Sequence, residues 1–104
     1  GVYGASALTL LTVQNTQTVD RIEMLTPNLV IDQINVIVID FEVAVAKTGA
    51  LGNASIIDAV AQRAASFSFP LIVDPVMVSK HGKLLVEDDA IAAYKRLLQY
   101  AYLV

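Results

Sequence analysis

Apolar positions along the chain follow more than one rhythm. In residues 5 to 13, ASALTLLTV, the residues Leu8, Leu10, Leu11 and Val13 stand with threonines between them, which predicts a buried strand. QNTQT breaks that apolar run and predicts a loop at the strand's C-terminal end. Thr26-Pro27 then reads as a helix start. Threonine can cap the free N–H groups, and proline in the first helical position gives up no needed hydrogen bond. Val30, Ile34, Ile37 and Phe41 follow at helical spacing. The β-branched run NVIVID, residues 35 to 40, favours a strand by propensity alone. A capped span explains more positions, so the reading is helix to about residue 39.

The second half repeats the alternation. VAVAK, residues 43 to 47, reads as a short strand, punctuated by Gly49 and Gly52. Asn53 is placed to cap a helix whose apolar face is Ile56, Ile57, Val60, Ala61 and Ala64. PLIVD, residues 70 to 74, reads as the next strand. Glu87, Asp88 and Asp89 gather where a helix N-terminus favours negative charge. Ile91, Tyr94, Leu97, Leu98 and Ala101 supply that helix's expected apolar face, and AYLV looks like the opening of a further strand. Strands alternating with helices predict an α/β fold with a mainly parallel sheet. Ligands in such sheets gather at the C-terminal ends of the strands. Three loops are singled out in this way: residues 14 to 16, 48 to 53 and 74 to 82.

Composition narrows the class. With 104 residues, the chain holds one domain at most. Hydrophobic residues make up 56% and charged ones 16%, with a mean hydropathy of +0.61, which is too apolar for disorder. It suits elements buried on both faces, or part of a larger domain. No run approaches the ~20 apolar residues of a spanning helix, and the start lacks a basic n-region, so neither a membrane anchor nor a signal peptide is expected. A net charge of -3 and scattered Lys and Arg argue against a nucleic-acid partner. Without cysteine there are no disulfides, thiolate metal sites or Cys nucleophile, which fits a cytoplasmic protein.

The loops carry the candidate chemistry. Gln14 and Asn15 can read a heterocycle's edge, or satisfy loop backbone groups. GALGN either brings backbone N–H groups to an anion or makes a tight strand-to-helix turn; it is neither GxGxxG nor a Walker A loop. Asp74 either orients a ligand or cation, or bonds nearby amides at its strand end. Lys80 and Lys83 suit either phosphate or solvent. His81 is the only histidine, which excludes multi-histidine metal sites.

Taken together, GVYGASALTLLTVQNT, AKTGALGN and LIVDPVMVSKHGKLL resemble consecutive blocks of the hydroxymethylpyrimidine/phosphomethylpyrimidine kinases, thiamine-pathway members of the ribokinase-like family. The resemblance covers essentially the whole chain. It implies a three-layer α/β sandwich with a mainly parallel central sheet, and phosphorylation of 4-amino-5-hydroxymethyl-2-methylpyrimidine and then its monophosphate, with ATP and Mg. It further implies that Gln14 hydrogen-bonds the aminopyrimidine, that Thr12, Ala50 and Val76 line its pocket, and that Asp74 lies toward the phosphate and metal side.

Two departures stand out. Ala50 replaces the methionine usual in the family, which would widen the pocket, and SKHGKLL replaces AKSGDPLL. The resemblance places the first strand upstream and the nucleotide-binding half downstream, so residues 1–104 are expected to form one partial domain. No catalytic residue and no complete metal site are expected within it, and the chain alone is expected to be inactive. Homo-oligomer formation through uncovered strand edges is a further expectation. The alternatives are a pyridoxal or pyridoxine kinase of the same fold, or a non-catalytic α/β assembly module.

Overall fold

The computed structural model describes residues 2–76, 79–80, 83–84 and 88–102, with backbone alone for residues 79–80 and 83–84. Its centre is α2, Ala54–Ala64. Asn53 caps this helix as expected, its side chain accepting from the Ile56 N–H at 2.9 Å. Ile56, Ile57, Val60, Ala61 and Ala64 are all buried, the stripe that the sequence spacing predicts. Strand β3, Ala46–Lys47, precedes α2, and β4, Leu71–Ile72, follows it. The two pair in parallel, Ala46 with Leu71 and Lys47 with Ile72, so β3–α2–β4 is a crossover unit. Both strands are shorter than VAVAK and PLIVD implied.

Helix α1, Pro27–Asp40, settles the conflict over NVIVID in favour of helix. Thr26 is its N-cap, accepting from the Leu29 N–H at 3.2 Å, with Pro27 opening the first turn. Val30 is buried, and Ile34 packs at the edge of the core. The opposite side of α1 is also apolar: Val36 and Ile39 are 65% and 85% exposed.

Helix α3, Asp88–Leu98, packs on α2. Its buried face is Ala90, Ala93, Tyr94 and Leu97, whereas Ile91 is 40% exposed. This corrects the expected stripe. Residues 90, 93, 94 and 97 share one face at helical spacing, and Ile91 lies about 100° further round. Asp88 and Asp89 occupy the first turn, where the helix dipole favours them. Glu87 lies outside the described residues, as do His81 and the side chains of Lys80 and Lys83. The last two residues of AYLV do so too, while the Tyr102 N–H donates to Leu71 O at 2.8 Å.

The largest departure is at the N-terminal side. The strand expected to be buried is β1, Leu10–Gln14; it is exposed beyond Leu10 and joins no parallel sheet among the described residues. It pairs antiparallel with β2, Val19–Met24, a strand the sequence reading missed. Asn15 builds the connecting turn: its Oδ1 accepts from the Gln17 and Thr18 N–H groups, both at 2.9 Å, and its own N–H donates to Thr18 O at 3.0 Å. Asn at the head of a tight turn is a known turn device. The partner strand is hidden by a β-bulge. Val13 opposes Arg21 but Gln14 opposes Val19, so Asp20 is an extra residue. The inward residues Val19 and Ile22 therefore fall three apart, not two. A second antiparallel hairpin, β5 (Ser79–Lys80) with β6 (Lys83–Leu84), lies beside β2. No helix among the described residues is long and apolar enough to cross a membrane.

Candidate functional site

The C-terminal ends of β3 and β4 are bound together by Thr48, a buried hydroxyl only 6% exposed. Its N–H donates to Ile72 O at 2.9 Å, extending the strand ladder, and its Oγ1 accepts from the Asp74 N–H at 3.1 Å. Pro75 has no N–H to leave unpaired. The Val76 N–H turns back onto Asp74 O at 2.7 Å, an inverse γ-turn of the kind found at strand ends. The backbone donors of Asp74-Pro75-Val76 are thereby all accounted for, and the Asp74 carboxylate is left facing outward. Lys47 Nζ lies 3.8 Å from Asp74 Oδ2, with both side chains more than half exposed. Such an exposed pair adds little stability but sets a charge arrangement at the rim.

A third contact comes from α3. The buried Tyr94 donates its hydroxyl to Val76 O at 3.2 Å. Burial raises the phenol above its ordinary pKa; the Leu51 backbone N–H works the other way, and the charge of Asp74 adds to the rise. The group stays a protonated donor through neutral pH.

The hairpin sits over the same loop. Thr9 donates its hydroxyl to Ala50 O at 2.6 Å, and the Leu25 N–H donates to Thr9 O at 2.9 Å. Gly52 has φ +90°, a conformation that favours glycine. A Cβ there would meet Met24 Sδ at 2.5 Å and Leu10 Cδ2 at 3.2 Å. The close approach that Gly52 permits is thus taken by the hairpin's own side chains. This favours the tight-turn reading of GALGN over an anion cradle. Further back, Gln33 grips the approach to β1 like a neighbouring strand. Its Nε2 donates to Leu8 O at 2.8 Å, and its Oε1 accepts from the Leu8 N–H at 2.9 Å.

Of the expected site residues, Asp74 and Val76 are held in one strap by Thr48 and Tyr94, and Ala50 follows Thr48 by two residues with its carbonyl bonded to Thr9. Thr12 and Gln14 are exposed, further up β1. At ~3.3 Å per residue, Gln14 stands about 13 Å along the strand from Leu10, which touches Gly52. The reading missed Thr48, Lys47 and Tyr94. Thr48 and Lys47 sat in plain view inside AKTG, where a threonine directly after a strand is a ready latch. Tyr94 carried no signal beyond a phenol in an otherwise apolar helical stripe. Among the described residues, no group of three or more His, Asp or Glu is gathered to hold a metal.

Comparison with known proteins shows the family. The family model for phosphomethylpyrimidine kinase matches residues 1–104. The chain is 42% identical to a thiamine biosynthesis bifunctional protein of Geobacter sulfurreducens, over the whole chain and 22% of that protein. It is 40% identical to a hydroxymethylpyrimidine/phosphomethylpyrimidine kinase of Bacillus subtilis, over 93% of the chain and 36% of the relative. The crystal structure of a phosphomethylpyrimidine kinase from Clostridium difficile superimposes with a TM-score of 0.87 at 32% identity, covering 99% of this chain and 46% of that one. A Staphylococcus aureus pyridoxal kinase in complex with AMP-PCP gives 0.70 at 26% identity, covering 91% and 35%. The chain therefore spans less than half the length of each of these relatives.

Proposed function

The chain belongs to the phosphomethylpyrimidine kinase family and carries part of its α/β, ribokinase-like fold, and from that premise we propose that it forms the pyrimidine-binding side of a longer, ATP-dependent kinase. Its substrates are 4-amino-5-hydroxymethyl-2-methylpyrimidine and the corresponding monophosphate, in thiamine biosynthesis. The observation that carries the reading is the loop rim at the ends of β3 and β4, where Thr48 and Tyr94 hold Asp74 and Val76 and Thr9 bonds Ala50, two residues beyond Thr48. The structure of the pyrimidine kinase is also matched more fully than that of the pyridoxal kinase, which weighs against the latter specificity.

In this reading Gln14 presents an amide to the aminopyrimidine edge, a donor and an acceptor at once. Thr12 lies two residues away on the same strand, and Ala50 and Val76 form apolar walls below. Asp74 faces the phosphate side. Magnesium needs only one or two carboxylates beside phosphate oxygens, so the single outward carboxylate of Asp74 fits a shared site and not a protein-built cage. When bound with ATP, the ion would neutralise charge on the phosphates during transfer. The chain's own groups bind and orient the pyrimidine. Positioning of that kind, together with charge stabilisation, accounts for most of phosphoryl-transfer catalysis.

The test is a coupled assay of ATP-dependent phosphorylation of the hydroxymethylpyrimidine. The full-length protein carrying this segment is expected to turn over, and residues 1–104 alone to be inactive. A full-length protein that phosphorylates pyridoxal but not the pyrimidine would overturn the assignment.

A further inference from the structure

Apart from Thr48, the phenol of Tyr94 is the polar group set deepest among the described core residues. A buried hydroxyl costs stability unless it is bonded, so its position in the α2–α3 core calls for a reason beyond filling space. Its hydrogen bond goes to Val76 O at 3.2 Å. In the proposed pocket Val76 is one wall and Ala50 another. One side chain on α3 thus reaches the Val76 wall through its backbone.

Thr48 holds the same strap at its other end, through the Asp74 N–H. Asp74-Pro75-Val76 is pinned on one side by β3 and on the other by α3. Ala50 matters here as well. An alanine offers only a Cβ to a ligand, so the gap between residues 50 and 76 is set by where the two backbones lie.

We propose that Tyr94 is a positioning residue for the pyrimidine pocket, its phenol fastening the Val76 segment to α3 and so setting where that wall stands relative to Ala50. The inference rests on the reading of Ala50 and Val76 as pocket walls. Tyr94 touches no reacting atom in this role; it acts through the walls.

The experiment compares wild type and Tyr94→Phe in the full-length kinase. Phenylalanine keeps the ring and removes the hydroxyl. A single lost hydrogen bond predicts a rise in KM for the pyrimidine of about 3- to 10-fold, with kcat within about 2-fold. Amide exchange should quicken at residues 74 and 76 while α2 stays protected. An unchanged KM beside an active wild type overturns this inference alone. A fall in kcat that tracks a lowered Tm, with exchange raised throughout α2 and α3, marks a merely structural role and also overturns it. A wild type that leaves the pyrimidine unphosphorylated overturns the pocket reading beneath it as well.

Discussion

Helix α2 buries its whole predicted stripe of Ile56, Ile57, Val60, Ala61 and Ala64. The β1–β2 hairpin buries none of its residues fully, and only Leu10, Val19 and Ile22 are even half-buried. The helix is held by packing on α1 and α3. The hairpin is held at a few points near its base: Gln33 on Leu8, Thr9 on Ala50, and Met24 and Leu10 over Gly52. The candidate site lies across this divide, with Ala50, Asp74 and Val76 on the packed platform and Thr12 and Gln14 on the exposed arm. Substitutions on the platform should therefore cost fold and binding together. On the arm, binding should suffer alone.

The strongest way to break the platform is to open a cavity in it. Ile57 is 0% exposed, and Ile57→Ala should lower unfolding stability by about 2–5 kcal/mol, read by denaturant titration. A loss under 1 kcal/mol would mean that α2 is not the centre of the core.

Gly52→Ala acts at the joint between the two regions. The positive φ should cost about 1–2 kcal/mol, and the crowding against Met24 and Leu10 should loosen the hairpin, seen as faster amide exchange in residues 10–24. Gly49→Ala is the control: its Cβ meets open space and its φ is not positive, so its effect should stay within about 0.5 kcal/mol. Equal effects at the two glycines would remove the joint.

Alkaline titration probes the platform through Tyr94. Its folded-state pKa is raised, so the folded protein keeps this proton longer than the unfolded chain. The Tyr94 contribution should be fully present below the ordinary phenol pKa of 10.0 and be lost as pH rises beyond it through the folded-state value. Tyr94→Phe should flatten that part of the curve, and an identical alkaline slope in wild type and variant would count against the assignment.

The smallest expected effect on stability is the most telling for the arm. Gln14→Ala removes an exposed side chain and should change Tm by no more than about 0.5 kcal/mol equivalent. In the full-length kinase it should still weaken pyrimidine binding by about 1–3 kcal/mol, the range for an unpaired partner left in a binding site. Unchanged pyrimidine affinity would detach the arm from the site.

Helix signals were legible because they are local. Thr26-Pro27 and Asn53 cap their own next turn, and the α2 stripe repeats at the helix's own period, so neighbours in sequence suffice. The family blocks were legible for the same reason, as contiguous runs. The missed hairpin shows the limit. Asn15 advertised a turn, but the bulge at Asp20 broke the period of two that would have revealed β2. In α3, a stripe containing Ile91 and one containing Ala90 and Ala93 are both helical, and propensity cannot choose between them. The small alanines were chosen because α2 lies against them.

Residue types and their local spacing determined the helices, their caps, the parallel crossover and the kinase-family blocks, since each depends on groups a few residues apart. Tertiary structure alone decided that β1 folds back on β2, that Gly52 makes room for Met24, and that Thr48 and Tyr94 reach Asp74 and Val76 across 26 and 18 residues. Those contacts depend on how separate elements close on one another, and a hydroxyl carries no mark in the sequence of the distant carbonyl or amide it will meet.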